Sequence, residues 1–357
     1  MSPKRSDDMM PRLYLTIASW NSMDVLPDLL KSLENQTYQE YQVIVIDNNS
    51  SDETVDFVRK NYPSVMLIRN MRNLGFAQAH NQGIRHVLAH CDQDALDDVF
   101  VLVTNHDIVL KKDFLAKLML RTKAQKEVGA FTGKLLKAYA ENITDEVLKE
   151  NVHSDIIDST GLRAKKNRTF ADRGAGEIDE GQYDEYQEIF GVSGALALYR
   201  ASALKDVMQG EQVFDQDFFA YKEDVDLAWR LQWLGWKARY IPEAVAYHYR
   251  GMYGKERMNL FQKIKNRFSK SKVRSYFSNR NHWWLLIKNE SISGMLLAWP
   301  RILFVESMRF IYTLVFEFKN IRAFFEVVFG LPKMLKKRRL LMKQRRVRPK
   351  EIRAWFV

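Results

Sequence analysis

Residues 99–107, with the sequence VFVLVTNHD, decide the fold, because a nearly continuous apolar run ends abruptly in polar side chains. Such a run predicts a strand that is buried on both faces of a parallel sheet. Similar runs at 13–18, 41–46 and 65–69 are separated by helix-like segments. We therefore expect an α/β fold in which a mostly parallel sheet is flanked by helices.

The chain beyond this stretch predicts further elements around a long polar segment. Residues 139–187 are polar and contain Gly174, Gly176 and Gly181, and we expect them to form an irregular insertion. Strand-like character returns at 189–199. A helix is expected at 223–234, and extended segments are expected at 237–241 and 244–249.

Composition excludes several classes of protein. The chain has 357 residues, of which 46% are hydrophobic, so it is too apolar to be intrinsically disordered. A single cysteine, Cys91, excludes a disulfide framework and a cysteine-rich zinc module. The polar start of the chain predicts a disordered N-terminus at 1–11, no signal peptide and a cytoplasmic protein. A body at 12–250 and a C-terminal region at 251–357 complete the predicted organisation.

The net charge of +11 is distributed unevenly along the chain. Residues 1–250 carry 30 Lys and Arg against 38 Asp and Glu, whereas residues 251–357 carry 25 against 6. The basic region interleaves cations with apolar and aromatic runs, which predicts amphipathic helices lying on an anionic membrane surface, at the inner face of the cell membrane. The alternative is a helical subdomain packed on the body. Nucleic acid binding is disfavoured by the apolar content of the region.

Acidic side chains stand at predicted strand ends and at a helix start, where sheets of this class bind their ligands. Asp47 could accept from the imide N–H of uracil or thymine, or could form an Asx-turn. Asp107 could ligate Mg²⁺ or Mn²⁺, or could cap the next helix. Asp224, beside Glu223, could be a general base that the helix N-terminus keeps ionised, or could only cap that helix. His248 could be a metal ligand or an ordinary core histidine.

Six segments of the body form a larger pattern. They are Thr16-Ile17-Ala18-Ser19-Trp20-Asn21, 43–51, 70–83, Asn105-His106-Asp107, 191–195 and 223–236. In this order and spacing they resemble glycosyltransferase family 2, and most closely its bacterial rhamnosyltransferase-like branch. The resemblance covers about residues 12–250. It implies a GT-A fold, a nucleotide-diphosphate sugar donor, a divalent metal ion and an inverting transfer.

The resemblance also implies roles for individual residues. Contacts with the nucleotide-sugar are implied for Ala18, Trp20, Asn21, Asp47, Asn73, Gly75, Asn81, Asn105 and His106. Gly194 and Ala195 are expected beneath the sugar and the acceptor. Asp107 and His248 are the implied ligands of Mg²⁺ or Mn²⁺. Asp224, with Glu223 beside it, is the implied catalytic base.

The implied reaction moves one sugar, rhamnose-like or another hexose, from a dTDP- or UDP-sugar in cell-surface polysaccharide synthesis. Its acceptor is a glycan or a polyprenyl-diphosphate-linked molecule, and the resemblance implies that the insertion at 139–187 carries the specificity for it. Residues 230–233 do not reproduce the Arg-Trp spacing of processive members, which favours a single addition. Two alternatives stay open, a catalytically degenerate scaffold and a sugar nucleotidyltransferase. Retention of Asp107, Asp224 and His248 argues against the first, and the lack of a basic Gly-rich loop after the first strand argues against the second.

Overall fold

Residues 12–142, 149–249 and 272–357 are described by the computed structural model of the chain. The expected disorder of 1–11 lies outside the described residues, as do residues 143–148 of the predicted insertion, residue 250 of the predicted body and the start of the C-terminal region at 251–271.

The described strands form one large sheet and one small one. They are β1 (Arg12–Ser19), β2 (Tyr41–Asp47), β3 (Met66–Arg69), β4 (Val99–Asn105), β5 (Ile108–Leu110), β6 (Val128–Asn142), β7 (Lys149–Ser159), β8 (Leu162–Ala164), β9 (Phe170–Asp172), β10 (Glu188–Ile189), β11 (Leu196–Arg200) and β12 (Lys237–His248). The large sheet has the order β10-β12-β6-β11-β4-β1-β2-β3, with β5 paired to β12 and β7 paired to β6. Strands β4, β1, β2 and β3 are parallel, whereas β11 is antiparallel to β4 and β6. The expected α/β architecture is confirmed.

Helices cover both faces of this sheet. They are α1 (Leu26–Glu34), α2 (Thr54–Asn61), α3 (Gly75–His90), α4 (Phe114–Leu120), α5 (Ala201–Val207), α6 (Glu223–Trp233), α7 (Lys272–Asn289), α8 (Ile292–Phe316), α9 (Arg322–Gln344) and α10 (Pro349–Ala354). Helices α1 and α4 pack into the core on one face, and α3, α5 and α6 pack into the core on the other. Every residue of β4 except the last is buried, as expected for a strand with helices on both faces.

The parallel register brings the ends of three strands together. Ser19 of β1 lies opposite Asp47 of β2, and Ala18 of β1 lies opposite Asn105 of β4. Polar residues that are far apart in the sequence therefore meet at one edge of the sheet.

Two predicted segments differ from the structure. The segment 139–187 is not irregular throughout, because β7 extends the large sheet by antiparallel pairing with β6, and β8 pairs with β9. Backbone pairing forms these strands without the apolar alternation that would have revealed them. The predicted strand at 189–199 divides into β10 and β11, since the backbone at Gly191 packs against α6, where a Cβ would lie 2.2 Å from the Cβ of Ala228.

The C-terminal helices pack on the body through α6. Trp229 and Trp233 of α6 share an apolar core with Trp284 and Leu285 of α7. This packing is the arrangement that the sequence left as an alternative to a purely membrane-associated region. No helix in the described part of the chain is long and apolar enough to cross a membrane.

Buried charges reinforce the same contact. The carboxylate of Asp226 on α6 accepts from the Nε of Arg230 at 2.8 Å and from the Nζ of Lys288 on α7 at 2.8 Å. Lys288 also donates to Asp215 at 2.7 Å. All four side chains are buried, so removing one partner would leave an uncompensated charge in the interior.

Candidate active site

A cavity of about 710 Å³ lies at the carboxyl end of β4, beside the N-terminus of α6. The predicted residues that line it are Asn105, Asp107, Gly194, Ala195, Glu223, Asp224 and His248. Carboxylates, an imidazole and backbone N–H groups therefore converge on one concave space. Such a space can bind a polar ligand and hold a proton at a defined position.

Asp224 is held in a fixed orientation at the wall of this cavity. Its Oδ2 accepts from the backbone N–H of Gly194 at 3.0 Å, and its Oδ1 accepts from the N–H of Val225 at 2.8 Å. A Cβ at position 194 would lie 3.2 Å from the Cβ of Asp224. Glycine thus allows the backbone of the β10–β11 connection to approach the carboxylate closely.

Burial raises the pKa of both carboxyl groups at the start of α6. Desolvation, followed by repulsion from Asp224, raises the pKa of Glu223 to about 8. Desolvation also raises the pKa of Asp224, against the opposing hydrogen bond from Gly194. The expectation that the helix N-terminus lowers the pKa here is wrong, because desolvation is the larger effect. Glu223 is mostly protonated at neutral pH, so it places no negative charge beside Asp224.

His248 lies between two carboxylates. Its Nδ1 donates to the Oδ2 of Asp158 at 2.7 Å, and its Nε2 lies 3.2 Å from the Oδ1 of Asp107. Burial alone would lower the pKa of His248, but the two carboxylates raise it to about 9. The pKa of Asp107 is lowered, since the nearby His248 outweighs the effect of burial. Asp158 fixes the ring so that Nε2 faces Asp107.

The donor atoms of Asp107 and His248 fit part of a metal site. Within the described ranges, no group of three or more His, Cys, Asp or Glu side chains could hold a metal ion. The Oδ1 of Asp107 is nevertheless buried, and the Nε2 of His248 faces it at 3.2 Å. Once Nε2 has lost its proton, this carboxylate oxygen and this imidazole nitrogen can ligate one divalent ion if a bound phosphate supplies further oxygens.

A second group of predicted residues lies at the ends of β1 and β2. Asn21 has φ 46°, and its Oδ1 accepts from the N–H of Ser51 at 2.8 Å, which joins the loops after the two strands. Asp47 is fully buried and accepts from the N–H of Ser50 at 3.1 Å and 3.3 Å. This contact is the turn that the sequence left as the alternative. Trp20 stands beside these loops with 53% of its surface exposed.

Backbone contacts join this group to the cavity. The Nδ1 of His106 lies 3.0 Å from the carbonyl oxygen of Ala18. The N–H of Asn105 donates to the carbonyl oxygen of Ala195 at 3.0 Å. The ends of β1, β2 and β4 and the connection before β11 therefore form one continuous polar edge.

The remaining predicted residues shape the start of α3. Asn73 accepts at Oδ1 from the N–H of Gly75 at 2.9 Å. Gly75 has φ 77°, and a Cβ there would lie 2.6 Å from the carbonyl oxygen of Phe219. Asn81 is buried, and its amide bonds to the backbone of Phe214 through both its oxygen and its nitrogen. The side chain of Asn81 therefore contacts the core backbone rather than the cavity.

Sequence reasoning missed several residues at this site, among them Asp158, Arg274 and Ser278. Asp158 lies in β7, within the segment that was expected to be irregular. Arg274 and Ser278 lie one turn apart on α7 and line the cavity. The basic and apolar pattern of the C-terminal region predicts membrane binding. It does not indicate that α7 forms a wall of the site.

Comparisons with known proteins point to one family. The sequence model described as "Glycosyltransferase like family 2" matches residues 11–272. Rhamnosyltransferase WbbL of Escherichia coli (strain K12) is 29% identical over 238 residues, which cover 66% of this chain and 83% of WbbL. Poly-beta-1,6-N-acetyl-D-glucosamine synthase of Staphylococcus aureus (strain MSSA476) is 23% identical over 247 residues, which cover 69% of this chain and 52% of the synthase. The chain thus spans about half the length of that relative.

Solved structures agree on the fold. The crystal structure of S. aureus TarS 1-349 has a TM-score of 0.50 and 15% identity, covering 96% of this chain and 89% of that one. The same TarS segment in complex with UDP-GlcNAc also has a TM-score of 0.50, at 14% identity, and covers the same shares of the two chains. At this identity the likeness concerns the fold, and it confirms the GT-A architecture that the sequence resemblance implied.

Proposed function

This chain belongs to glycosyltransferase family 2, and we propose that it transfers a single sugar from a nucleotide-diphosphate donor to a glycan or lipid-linked acceptor, with inversion. The proposed donor is a dTDP- or UDP-sugar that carries rhamnose or another hexose. The proposed product belongs to a cell-surface polysaccharide. The observation that carries the proposal is the carboxylate of Asp224, fixed by Gly194 at the wall of the cavity that Asp107 and His248 also line.

Asp224 acts as the general base in this proposal. Its carboxylate takes the proton of the acceptor hydroxyl as that oxygen attacks the anomeric carbon. The bond between the anomeric carbon and the diphosphate oxygen breaks, and its electron pair leaves with the nucleoside diphosphate. Protonated Glu223 adds no second negative charge beside the base. One displacement inverts the anomeric configuration and requires no covalent enzyme intermediate.

Asp107 and His248 are the proposed ligands of Mg²⁺ or Mn²⁺ beside the donor diphosphate. When bound there, the divalent ion would supply positive charge to the leaving diphosphate. Asp158 holds the imidazole of His248 so that Nε2 faces Asp107. Orientation of a ligating histidine by a carboxylate is a common feature of metal sites.

The nucleotide is proposed to lie against the edge formed by β1 and β2. Asp47 uses its carboxylate to fold the turn at 47–50, so this loop, rather than a free carboxylate, is the surface offered to the base. Exposed Trp20 gives the same edge an apolar face. Such a surface suits a nucleoside, whose base has a flat face and a polar edge.

We further propose that the outer face of the C-terminal helices docks on an anionic membrane surface. Helix α8 turns Ala298, Ile302 and Thr313 toward the protein. Its exposed apolar side chains are Ile292, Leu296, Leu297, Trp299, Leu303, Phe304, Met308, Phe310, Ile311, Leu314, Val315 and Phe316. An exposed apolar face of this extent is typical of an interaction surface.

Charge favours a lipid surface as the partner of this face. Residues 333–353 contain 11 Lys and Arg against one Glu. Basic residues near an anionic membrane contribute about 1 kcal/mol each. Because the same helices pack on α6, a membrane bound in this way would lie close to the catalytic cavity, which suits a lipid-linked acceptor.

Donor turnover by the full-length protein tests the proposed function. Purified protein would be incubated with dTDP-rhamnose, UDP-glucose or UDP-GlcNAc and Mn²⁺ or Mg²⁺, with and without lipid-linked acceptors. We expect one donor to release its nucleoside diphosphate faster when an acceptor is present, and we expect NMR of the product to show the inverted anomer. Retention of configuration would contradict the mechanism, and absence of binding and turnover with every donor would contradict the function.

A further inference from the structure

The loop that leads into Glu223 and Asp224 has an unusual backbone. Phe219, Tyr221 and Lys222 have φ values of 62°, 70° and 76°, although none of them is glycine. Side chains disfavour this left-handed region, so such a loop persists only where its surroundings hold it. The strained segment ends at Lys222, two residues before the proposed catalytic base Asp224.

An amide side chain of helix α7 binds this loop at its carbonyl groups. The Nδ2 of Asn281 donates to the carbonyl oxygens of Phe218, Ala220 and Tyr221 at 2.8, 2.9 and 2.7 Å. Asn281 is fully buried. Its Oδ1 accepts from the Nε of Arg280 at 3.0 Å, which fixes the direction of the amide. The two N–H bonds of this buried amide therefore serve three carbonyl groups of the loop, with one N–H shared between two acceptors.

The opposite side of the loop rests on α3. The carbonyl oxygen of Phe219 accepts from the N–H of Ala77 at 3.3 Å, and the close approach at Gly75 leaves no room for a Cβ. The ring of Phe219 also stacks on Phe277 of α7, with the ring centroids 5.1 Å apart. The loop is thus fixed between the start of α3 and the inner face of α7.

We propose that Asn281 is a positioning residue for catalysis, which holds the strained loop so that Asp224 faces the acceptor. This inference rests on the proposed function. It makes α7 part of the catalytic apparatus rather than a support for membrane binding alone. Asn281 lies beyond the residues that the family match covers, so the match itself assigns it no role.

The test compares Asn281→Ala with Asn279→Ala in the full-length protein. Asn279 lies on the same helix and contacts Thr313 of α8 at 3.3 Å instead of the loop. We expect Asn281→Ala to lower kcat by about 100-fold, the cost of a displacement of about 1 Å at a catalytic group. Its KM for the donor should stay within about threefold, because the donor edge at β1 and β2 is not touched. Asn279→Ala should keep kcat within about threefold.

Hydrogen exchange provides a readout that does not depend on turnover. Amides of 218–226 should exchange faster in Asn281→Ala than in Asn279→Ala, whereas those of β1 and β4 should be unchanged. Asn281→Ser, which keeps one donor, should give an intermediate kcat and takes the place of the alanine variant if that variant does not fold. Equal kcat in the two alanine variants, or unchanged exchange at 218–226, would overturn the proposal. Lack of transfer by the wild type would contradict the proposed function instead. The exchange experiment would still test whether Asn281 holds the loop at 218–222.

Discussion

Gly194 donates its backbone N–H to the Oδ2 of Asp224 at 3.0 Å, across 30 residues of sequence. The bond depends on a close approach, because a Cβ at 194 would lie 3.2 Å from both the Cβ of Asp224 and the Cζ of Phe76. We therefore expect Gly194→Ala to displace the carboxylate and to lower kcat by about 10- to 100-fold. Steady-state kinetics check this, with thermal melting as the control for folding. A kcat within twofold of wild type would show that the contact does not orient the base.

Glu223→Gln should change stability in a way that depends on pH. The pKa of Glu223 is raised by burial from 4.5 to about 8, so the folded protein keeps a proton that the unfolded chain loses between these values. The wild type therefore loses stability as pH rises from about 4.5 to 8, whereas glutamine has no proton to lose.

Melting temperatures at pH 5 and pH 8 check this expectation. The melting temperature of the variant should rise relative to that of the wild type as pH rises. The variant should keep its rate of transfer within a few-fold of wild type at pH 7. Glu185→Gln, at an exposed position, is the matched control and should follow the wild type. Parallel pH profiles for wild type and Glu223→Gln would show that Glu223 is not held protonated.

Asp158→Asn should weaken metal binding although it replaces neither of the proposed metal ligands, Asp107 and His248. The carboxylate accepts from the Nδ1 of His248 at 2.7 Å and so fixes the direction of Nε2. Loss of such a supporting carboxylate typically lowers metal affinity by about 10- to 100-fold. Titration of Mn²⁺ by electron paramagnetic resonance, in the presence of UDP, measures the effect. Asp155→Asn, at an exposed position of the same strand, should bind Mn²⁺ like the wild type, and equal affinities in all three proteins would remove Asp158 from the site.

The parallel half of the fold could be predicted from the sequence because its strands are short apolar runs separated by helix-like segments, and β4 is buried on both faces. The run at 99–107 gave both β4 and the polar residues at its end. The strands in 139–187 could not be predicted, since β7 is formed by backbone pairing with β6 and its polar residues give no periodic signal. The packing of α7 on α6 could not be predicted for another reason. Charged residues of α7, such as Lys288, are neutralised by carboxylates that are distant in the sequence.

The candidate site could be predicted where a residue follows a strand or begins a helix. Asp107, Gly194, Asp224 and His248 all line one cavity. The electrostatics could not be predicted, because desolvation depends on how deeply the start of α6 is covered. The supporting residue Asp158 depends on a tertiary contact that no local pattern reveals.

Three substitutions on the outer face of α8 test the membrane surface. Leu296, Leu303 and Phe304 are exposed by 72%, 49% and 70%, and serine at these positions would remove apolar area without disturbing the inner face. We expect the triple variant to lose flotation with liposomes that contain anionic lipid, because apolar burial contributes to interfacial binding together with charge.

The matched control changes exposed apolar residues of the body. Met71→Ser, Leu120→Ser and Ile178→Ser alter side chains that are also exposed but lie away from α8. This control should float like the wild type at about 0.1 M salt. Equal flotation of all three proteins would contradict the proposal, as would a wild type that stays soluble and forms dimers through this face.

Asp224→Asn tests whether the carboxylate beside Gly194 is the general base. The amide keeps the size of the side chain and removes the group that accepts the proton. Transfer should fall by about 10²- to 10⁴-fold, whereas the affinity for the donor, measured by calorimetry with UDP-sugar or dTDP-sugar and Mn²⁺, should change by less than about threefold. Transfer within a few-fold of wild type, with donor binding intact, would show that Asp224 is not the general base.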